Sequence, residues 1–173
     1  MTRVLLVTGA RSLADDPDAE AWARGLIAAA LVGVDLLLVG DASGPDAWAS
    51  RIQRDALRRV ECYRTHGLNI GWVDTAHCEE WDRVRRWSPP RAIHSTRYPL
   101  MRNAAMVRDA AALRDDPLMM ADVRCLALLD GRKPAVVKPG EKRPTRGTEH
   151  TARLARAAGL TVDAQTWPKG ATT

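Results

Sequence analysis

The stretch Val34-Asp35-Leu36-Leu37-Leu38-Val39-Gly40-Asp41-Ala42-Ser43-Gly44-Pro45-Asp46 decides the fold. Its first part is a short, nearly continuous apolar run, which suits a strand buried on both faces of a parallel sheet. Gly40 and Gly44 then mark a turn, and Ala47 to Arg64 carries a helical pattern. The segment therefore reads as strand, glycine turn and helix start. The first turn of such a helix offers free backbone N–H groups and the positive end of its dipole, which together suit an anion such as phosphate. Gly40 and Gly44 lack a Cβ, so a ligand can approach the backbone closely. Ser43 or Asp46 can cap the helix, and Pro45 fits near its first position. Asp46 can instead hydrogen-bond a ribose hydroxyl. The same residues also build a capped turn that holds no ligand, so the turn alone assigns no function.

Upstream, Arg3-Val4-Leu5-Leu6-Val7 is a second buried-strand pattern, and it ends in Thr8-Gly9-Ala10-Arg11-Ser12. Gly9 permits a sharp turn, Thr8 and Ser12 supply hydroxyls, and Arg11 brings a planar fork of donors shaped for phosphate. Asp15-Asp16-Pro17 reads as a helix start. Trp22, Leu26, Ile27, Ala30 and Leu31 follow at helical spacing, with Trp22 expected in the core.

Downstream, the helix from Ala47 to Arg64 is expected to bury Trp48, Ile52, Ala56, Val60 and Tyr63. Arg51, Arg54, Arg58, Arg59 and Arg64 would then be solvated. His66-Gly67 is expected to end this helix, and Leu68 to Val73 to form a third strand leading to Asp74. Thr75 to Pro99 reads as a long irregular segment rich in Trp and Arg, with Pro89-Pro90 in its middle. It contains His77-Cys78-Glu79-Glu80, but no other residues complete a metal set, so no metal is expected.

Pro99 to Leu113 predicts another helix, with Arg102 and Asn103 in its first turns. Asn103 can both donate and accept, which suits a base edge or a ribose. Val123 to Leu129 predicts a central strand. A second glycine turn, Thr145-Arg146-Gly147-Thr148-Glu149, opens a helix from Gly147 to Ala158, again suited to phosphate. Leu160-Thr161-Val162 predicts a short last strand, and the chain from Trp167 onward a frayed tail.

Alternating strands and helices, with polar turns after the strands, predict an α/β chain: a three-layer, Rossmann-like, doubly wound and mostly parallel sheet of about five strands, with helices on both faces. Ligands in such sheets sit beyond the carboxyl ends of the strands. The expected organisation is a single domain over residues 1–165 with a C-terminal tail at 166–173.

The chain has 173 residues, 46% of them hydrophobic, and a net charge of +5. That balance permits a phosphorylated or nucleic-acid partner without requiring one. No apolar stretch reaches the length of a membrane span. Met1-Thr2-Arg3 runs directly into a strand, so no leader is expected. The three cysteines, Cys62, Cys78 and Cys125, are widely spaced. They predict a reducing, cytoplasmic setting without a disulfide framework.

Taken in order, these segments resemble the SLOG superfamily of Rossmann-like nucleotide-binding proteins, in its YspA-like, YpsA-related branch found in bacteria and phages. The likeness covers Arg3 to about Val162. The branch's TG-x-R turn looks like Thr8-Gly9-Ala10-Arg11, and its G-x-A-x-G-x-D turn looks like Gly40 to Asp46. Its R-N pair looks like Arg102-Asn103, and its G-x-G-T turn looks like Thr145 to Thr148, with Thr145 in place of the first glycine. The resemblance implies that a nucleotide or nucleotide-derived small molecule is bound, and it firmly implies no cofactor. The implied contacts are Thr8, Gly9, Ala10, Arg11, Ser12, Gly40, Asp41, Ser43, Gly44, Asp46, Arg102, Asn103, Gly147, Thr148 and Glu149. It also implies a homodimer, as relatives often form. The superfamily includes phosphoribohydrolases that cleave nucleoside monophosphates and the DNA-processing protein DprA. An N-glycosidic hydrolase using Asp46 or Glu149, and a DprA-like single-stranded nucleic-acid module, are therefore the alternatives. The hydrolases carry P-G-G-x-G-T-x-x-E, and Thr151 stands where that glutamate would fall.

Overall fold

A computed structural model describes residues 1–65, 83–87, 98–132 and 147–168. Among these residues, six parallel strands form one sheet: β1 (Arg3–Gly9), β2 (Leu36–Gly40), β3 (Arg59–Thr65), β4 (Arg83–Trp87), β5 (Asp122–Asp130) and β6 (Thr161–Trp167). Their spatial order is β4-β3-β2-β1-β5-β6. The chain winds outward from β1 in one direction and then returns to its other side, so the winding reverses between β1 and β5. Among the described residues, four α-helices accompany the strands: α1 (Pro17–Ala30), α2 (Pro45–Asp55), α3 (Tyr98–Asp115) and α4 (Gly147–Ala157).

The sheet is buried on both faces, which is why β1 and β2 are apolar at successive positions rather than alternate ones. Leu5, Val7, Leu37, Val39 and Val60 pack with Ala23 and Ile27 of α1 and with Trp48 and Ala49 of α2. The opposite side chains of the same strands, Val4, Leu6, Leu36, Leu38 and Tyr63, pack with Met106, Val107 and Ala110 of α3 and with Ala155 of α4. The result is the three-layer, Rossmann-like α/β arrangement, with one strand more than expected. Among the described residues, no helix is long and apolar enough to cross a membrane.

Several local expectations are overturned. The helix does not run to Arg64. It ends at Asp55, and Val60 and Tyr63 lie on β3, paired with Leu37 and Gly40. The break falls at Leu57, which takes a φ of 55° although it is not glycine. Gln53 Nε2 and Arg58 Nη1 both donate to the Val34 carbonyl, at 3.2 and 2.6 Å, and fasten the turn to the foot of β2. Arg54, expected in solvent, is buried. A strand, β4, crosses the segment expected to be irregular. The last strand extends to Trp167, whose ring lies 5.5 Å from that of Trp22, so β6 takes in residues assigned to the tail. Cys62 is disulfide-bonded, where the sequence predicts a reducing setting without a disulfide framework, and Cys125 is free and buried. The readings at His66-Gly67, Leu68 to Asp74, His77 to Glu80 and Pro89-Pro90, and the first two residues of Thr145 to Thr148, lie outside the described residues.

Candidate functional site at the carboxyl rim

The turns that follow β1 and β2 and the first turns of α3 and α4 are linked by successive contacts. Gly9 ends β1 so tightly against α2 that a Cβ there would overlap the Pro45 ring. Gly44 holds a φ of 81° as the residue before α2. A Cβ on Gly44 would sit 3.5 Å from Arg11 Cα. Positive φ at this position favours glycine, and neither Ser43 nor Asp46 makes a side-chain cap.

Gly40 ends β2 beneath the Arg102 guanidinium. A Cβ built on Gly40 would fall on that guanidinium and within 2.6 Å of Asp46 Oδ2. The missing side chain is thus the space through which α3 delivers Arg102. Arg102 Nη2 stands 3.1 Å from Asp41 Oδ1, and Nη1 stands 3.6 Å from Asp46 Oδ2. All three side chains are buried. Arg102 therefore compensates two carboxylates that would otherwise be stranded away from water. Among the described residues its Nε has no hydrogen-bond partner, which leaves one buried donor unused.

Burial pushes the Asp46 carboxyl up. The charge of Arg102 opposes this, the like charge of Asp41 adds to it, and the balance leaves the group at about 6. Partial burial also lowers the Arg11 guanidinium from its ordinary value; Asp46 works against that shift and Arg102 with it. Arg11, Asp41, Asp46 and Arg102 thus form one electrostatic cluster.

The raised Asp46 value has a defined consequence for stability. The folded chain holds its Asp46 proton more tightly than the unfolded chain does. The contribution is therefore absent well above pH 6, grows as pH falls through about 6, and is complete below the ordinary value of 3.8. Relative to Asp46→Asn, the wild-type chain should gain about 1–2 kcal/mol of stability between pH 8 and pH 5. Urea unfolding of both chains at the two pH values measures this, and a constant difference between them would refute it.

At the second rim segment, Asn103 Nδ2 donates to Thr151 Oγ1 at 2.7 Å, and Thr151 Oγ1 donates to the Gly147 carbonyl at 2.8 Å. This ties the start of α3 to the start of α4. Thr148 is buried beside it and Glu149 is half-buried. Leu100 lies against Gly147, 4.0 Å from where a Cβ would stand.

The two candidate hydroxyls of the first turn differ. Thr8 is buried at the end of β1, whereas Ser12 Oγ donates to Asp130 Oδ2 at 2.5 Å across the β1–β5 junction. Arg132 Nε donates to Asp130 Oδ1 at 2.9 Å, and its Nη2 donates to the Ser12 carbonyl at 3.0 Å. Burial alone would raise the Asp130 carboxyl, but hydrogen bonds from Arg132 and Ser12 outweigh it and hold the group at about 2. Arg132 also pairs with Asp16, the residue that caps α1. Asp130 and Arg132 are not singled out by the sequence, and Thr151 enters there only as the residue at the position of the hydrolase glutamate. The signal for Asp130 was its place at the carboxyl end of an apolar run, and for Thr151 its place one helical turn after Gly147.

Neither a protein-family model nor a curated protein matches this chain. Among solved structures, the chain is similar to DNA processing protein A (DprA) from Streptococcus pneumoniae, with a TM-score of 0.47 and 12% identity. The similarity covers 94% of this chain and 58% of that one, so this chain spans little more than half of that protein's length.

Proposed function

We propose that this chain binds a nucleotide or nucleotide-derived small molecule at the carboxyl rim of its sheet, as a member of the SLOG superfamily in its YspA-like branch would. One observation carries the reading: the Gly9, Gly40–Asp46, Arg102–Asn103 and Gly147 segments, remote in sequence, meet at one rim. The backbone of the Gly40–Asp46 and Gly147–Thr148 turns, with Arg11, takes the phosphate. Glu149, half-buried at the start of α4, is the carboxylate available to sugar hydroxyls. Arg102 acts as a positioning residue, because its Nη atoms hold Asp41 and Asp46 in place.

Isothermal titration against nucleoside phosphates, ADP-ribose and cyclic nucleotides tests this. Saturable binding by at least one, weakened about tenfold or more in Arg11→Gln, is expected from the loss of a charge-assisted phosphate contact. No heat from any of them at millimolar ligand would refute it.

Two neighbouring readings each have one observation in their favour. Glu149 places a half-buried carboxylate at the start of α4, which favours an N-glycosidic hydrolase using that residue. Release of free base from nucleoside monophosphates would establish that activity. The net charge of +5 favours a nucleotide recognised within a single strand. That form predicts binding of oligodeoxynucleotides that weakens steeply as salt rises.

A further inference from the structure

The hydrogen bonds joining α3 to α4 fix which way Asn103 faces. A threonine hydroxyl carries one proton, and that of Thr151 is committed to the Gly147 carbonyl. Thr151 Oγ1 can therefore only accept from Asn103, so the Asn103 amide must turn its NH2 toward Thr151. The opposite assignment would set two acceptors against each other. The amide oxygen, Oδ1, is left facing elsewhere. Asn103 is 7% exposed, and among the described residues its Oδ1 has no hydrogen-bond partner. A buried acceptor left unmade is costly, and native structures fill such groups from protein, water or ligand. This one lies at the start of α3, next to Arg102, and is tied through Thr151 to the Gly147 turn.

We infer that Asn103 presents its amide oxygen to a hydrogen-bond donor on the bound molecule, either a sugar hydroxyl or an exocyclic amine, and that Thr151 sets this polarity by holding the amide in one orientation. The inference rests on the nucleotide-binding reading above and sharpens it. The rim then selects for ligands that donate at this point. A ligand lacking the donor leaves Oδ1 unpaired in a dry site, and discrimination of that kind is stronger than apolar contact can supply. Thr151 is a positioning residue here, and Asn103 is the one that touches ligand.

Donor-deleted probes test the inference. Adenosine 5′-monophosphate is titrated beside its 2′-deoxy counterpart, which lacks a hydroxyl donor, and beside purine riboside 5′-monophosphate, which lacks the amine. The guanosine and cytidine series are run in the same way. In the wild-type chain, one donor-deleted member of a series that binds should be weaker by about tenfold or more. In Thr151→Val, which removes the hydroxyl and keeps the shape, that ratio should collapse toward one. A purely structural Thr151 would weaken every probe alike and leave the ratio unchanged. Asn103→Leu should abolish the ratio as well, and Thr151→Val keeps the test decisive if Asn103→Leu does not fold. Equal binding of all members of a series to the wild-type chain would overturn the role of Asn103 while leaving the nucleotide site intact. Absence of binding by every parent nucleotide would overturn both.

Discussion

Arg102→Met should destabilise this protein by about 3–5 kcal/mol, the largest loss expected from any single substitution at the rim. The cause lies in what remains. Asp41 is 0% exposed and Asp46 is 4% exposed, and Arg102 faces both. Methionine fills much of the same volume but leaves two carboxylates without that guanidinium in a place where water cannot reach them. Like charges so close cannot both stay ionised cheaply, so the Asp46 carboxyl should move still higher than about 6. The loss should accordingly be smaller at pH 5 than at pH 8, because Asp46 then takes up a proton in the folded chain. Adding Asp46→Asn to Arg102→Met should recover a substantial part of the loss. Equilibrium urea unfolding of the two single variants and the double variant supplies the coupling directly. Strict additivity would show that the three side chains do not act as a unit.

Gly40→Ala should come close to that loss, at about 3 kcal/mol or more, although it adds only one methyl group. Ordinary overpacking of a core costs about 1–3 kcal/mol because neighbours can shift into new rotamers. Here the methyl would occupy the position of the Arg102 guanidinium, with Asp46 Oδ2 at 2.6 Å on its other side. The guanidinium must leave its two carboxylates for the methyl to fit, so the steric cost brings the electrostatic one with it. For a domain of this size the fall in Tm should be about 6–12 °C. The neighbouring Gly44→Ala offers a useful contrast. Its Cβ would meet nothing closer than 3.5 Å. Its cost comes from a φ of 81°, which disfavours a side chain by about 1–2 kcal/mol. A thermal melt of Gly40→Ala indistinguishable from wild type would mean that Arg102 does not occupy the space above Gly40.

Much of the frame was legible in the sequence, for reasons that particular residues make plain. Val4 to Val7 and Leu36 to Val39 are apolar at consecutive positions, and only a strand covered on both sides has use for that. Asp16 followed by Pro17 announces α1, and Asp16 does accept from the backbone N–H groups of Asp18 and Ala19. The boundary between α2 and β3 was not legible. Ala56, Val60 and Tyr63 continue the helical spacing of Trp48 and Ile52, and no glycine or proline interrupts them. The chain breaks there because Leu57 accepts a left-handed conformation, a choice made by pairing with β2 and not by local propensity. The burial of Arg54 is not legible for a related reason: its neighbours are charged and helical, and only the packed structure decides that it is covered.

At the rim, the sequence pointed to turns but not to their wiring. Asp41 and Asp46 looked like groups held out toward a ligand, and Arg102 like a phosphate contact from a distant helix. Their mutual pairing joins residues separated by more than half a hundred positions, which no periodicity can reveal. Thr151 shows the same limit. Its position invites comparison with a glutamate in the hydrolases that the chain resembles, yet its hydroxyl bridges Asn103 and the Gly147 carbonyl. A side chain committed in that way belongs to the architecture of the rim.

A map of backbone amide shifts, taken as the uniformly labelled chain is titrated with a mixture of nucleoside 5′-monophosphates, reports directly where nucleotide binds. Ligand binding at the carboxyl rim gives saturable changes concentrated at Gly9 to Arg11, Gly40 to Ala47 and Gly147 to Thr148, with the loops before β1 and β2 unaffected. Changes confined to those opposite loops, or none at millimolar nucleotide, would contradict it.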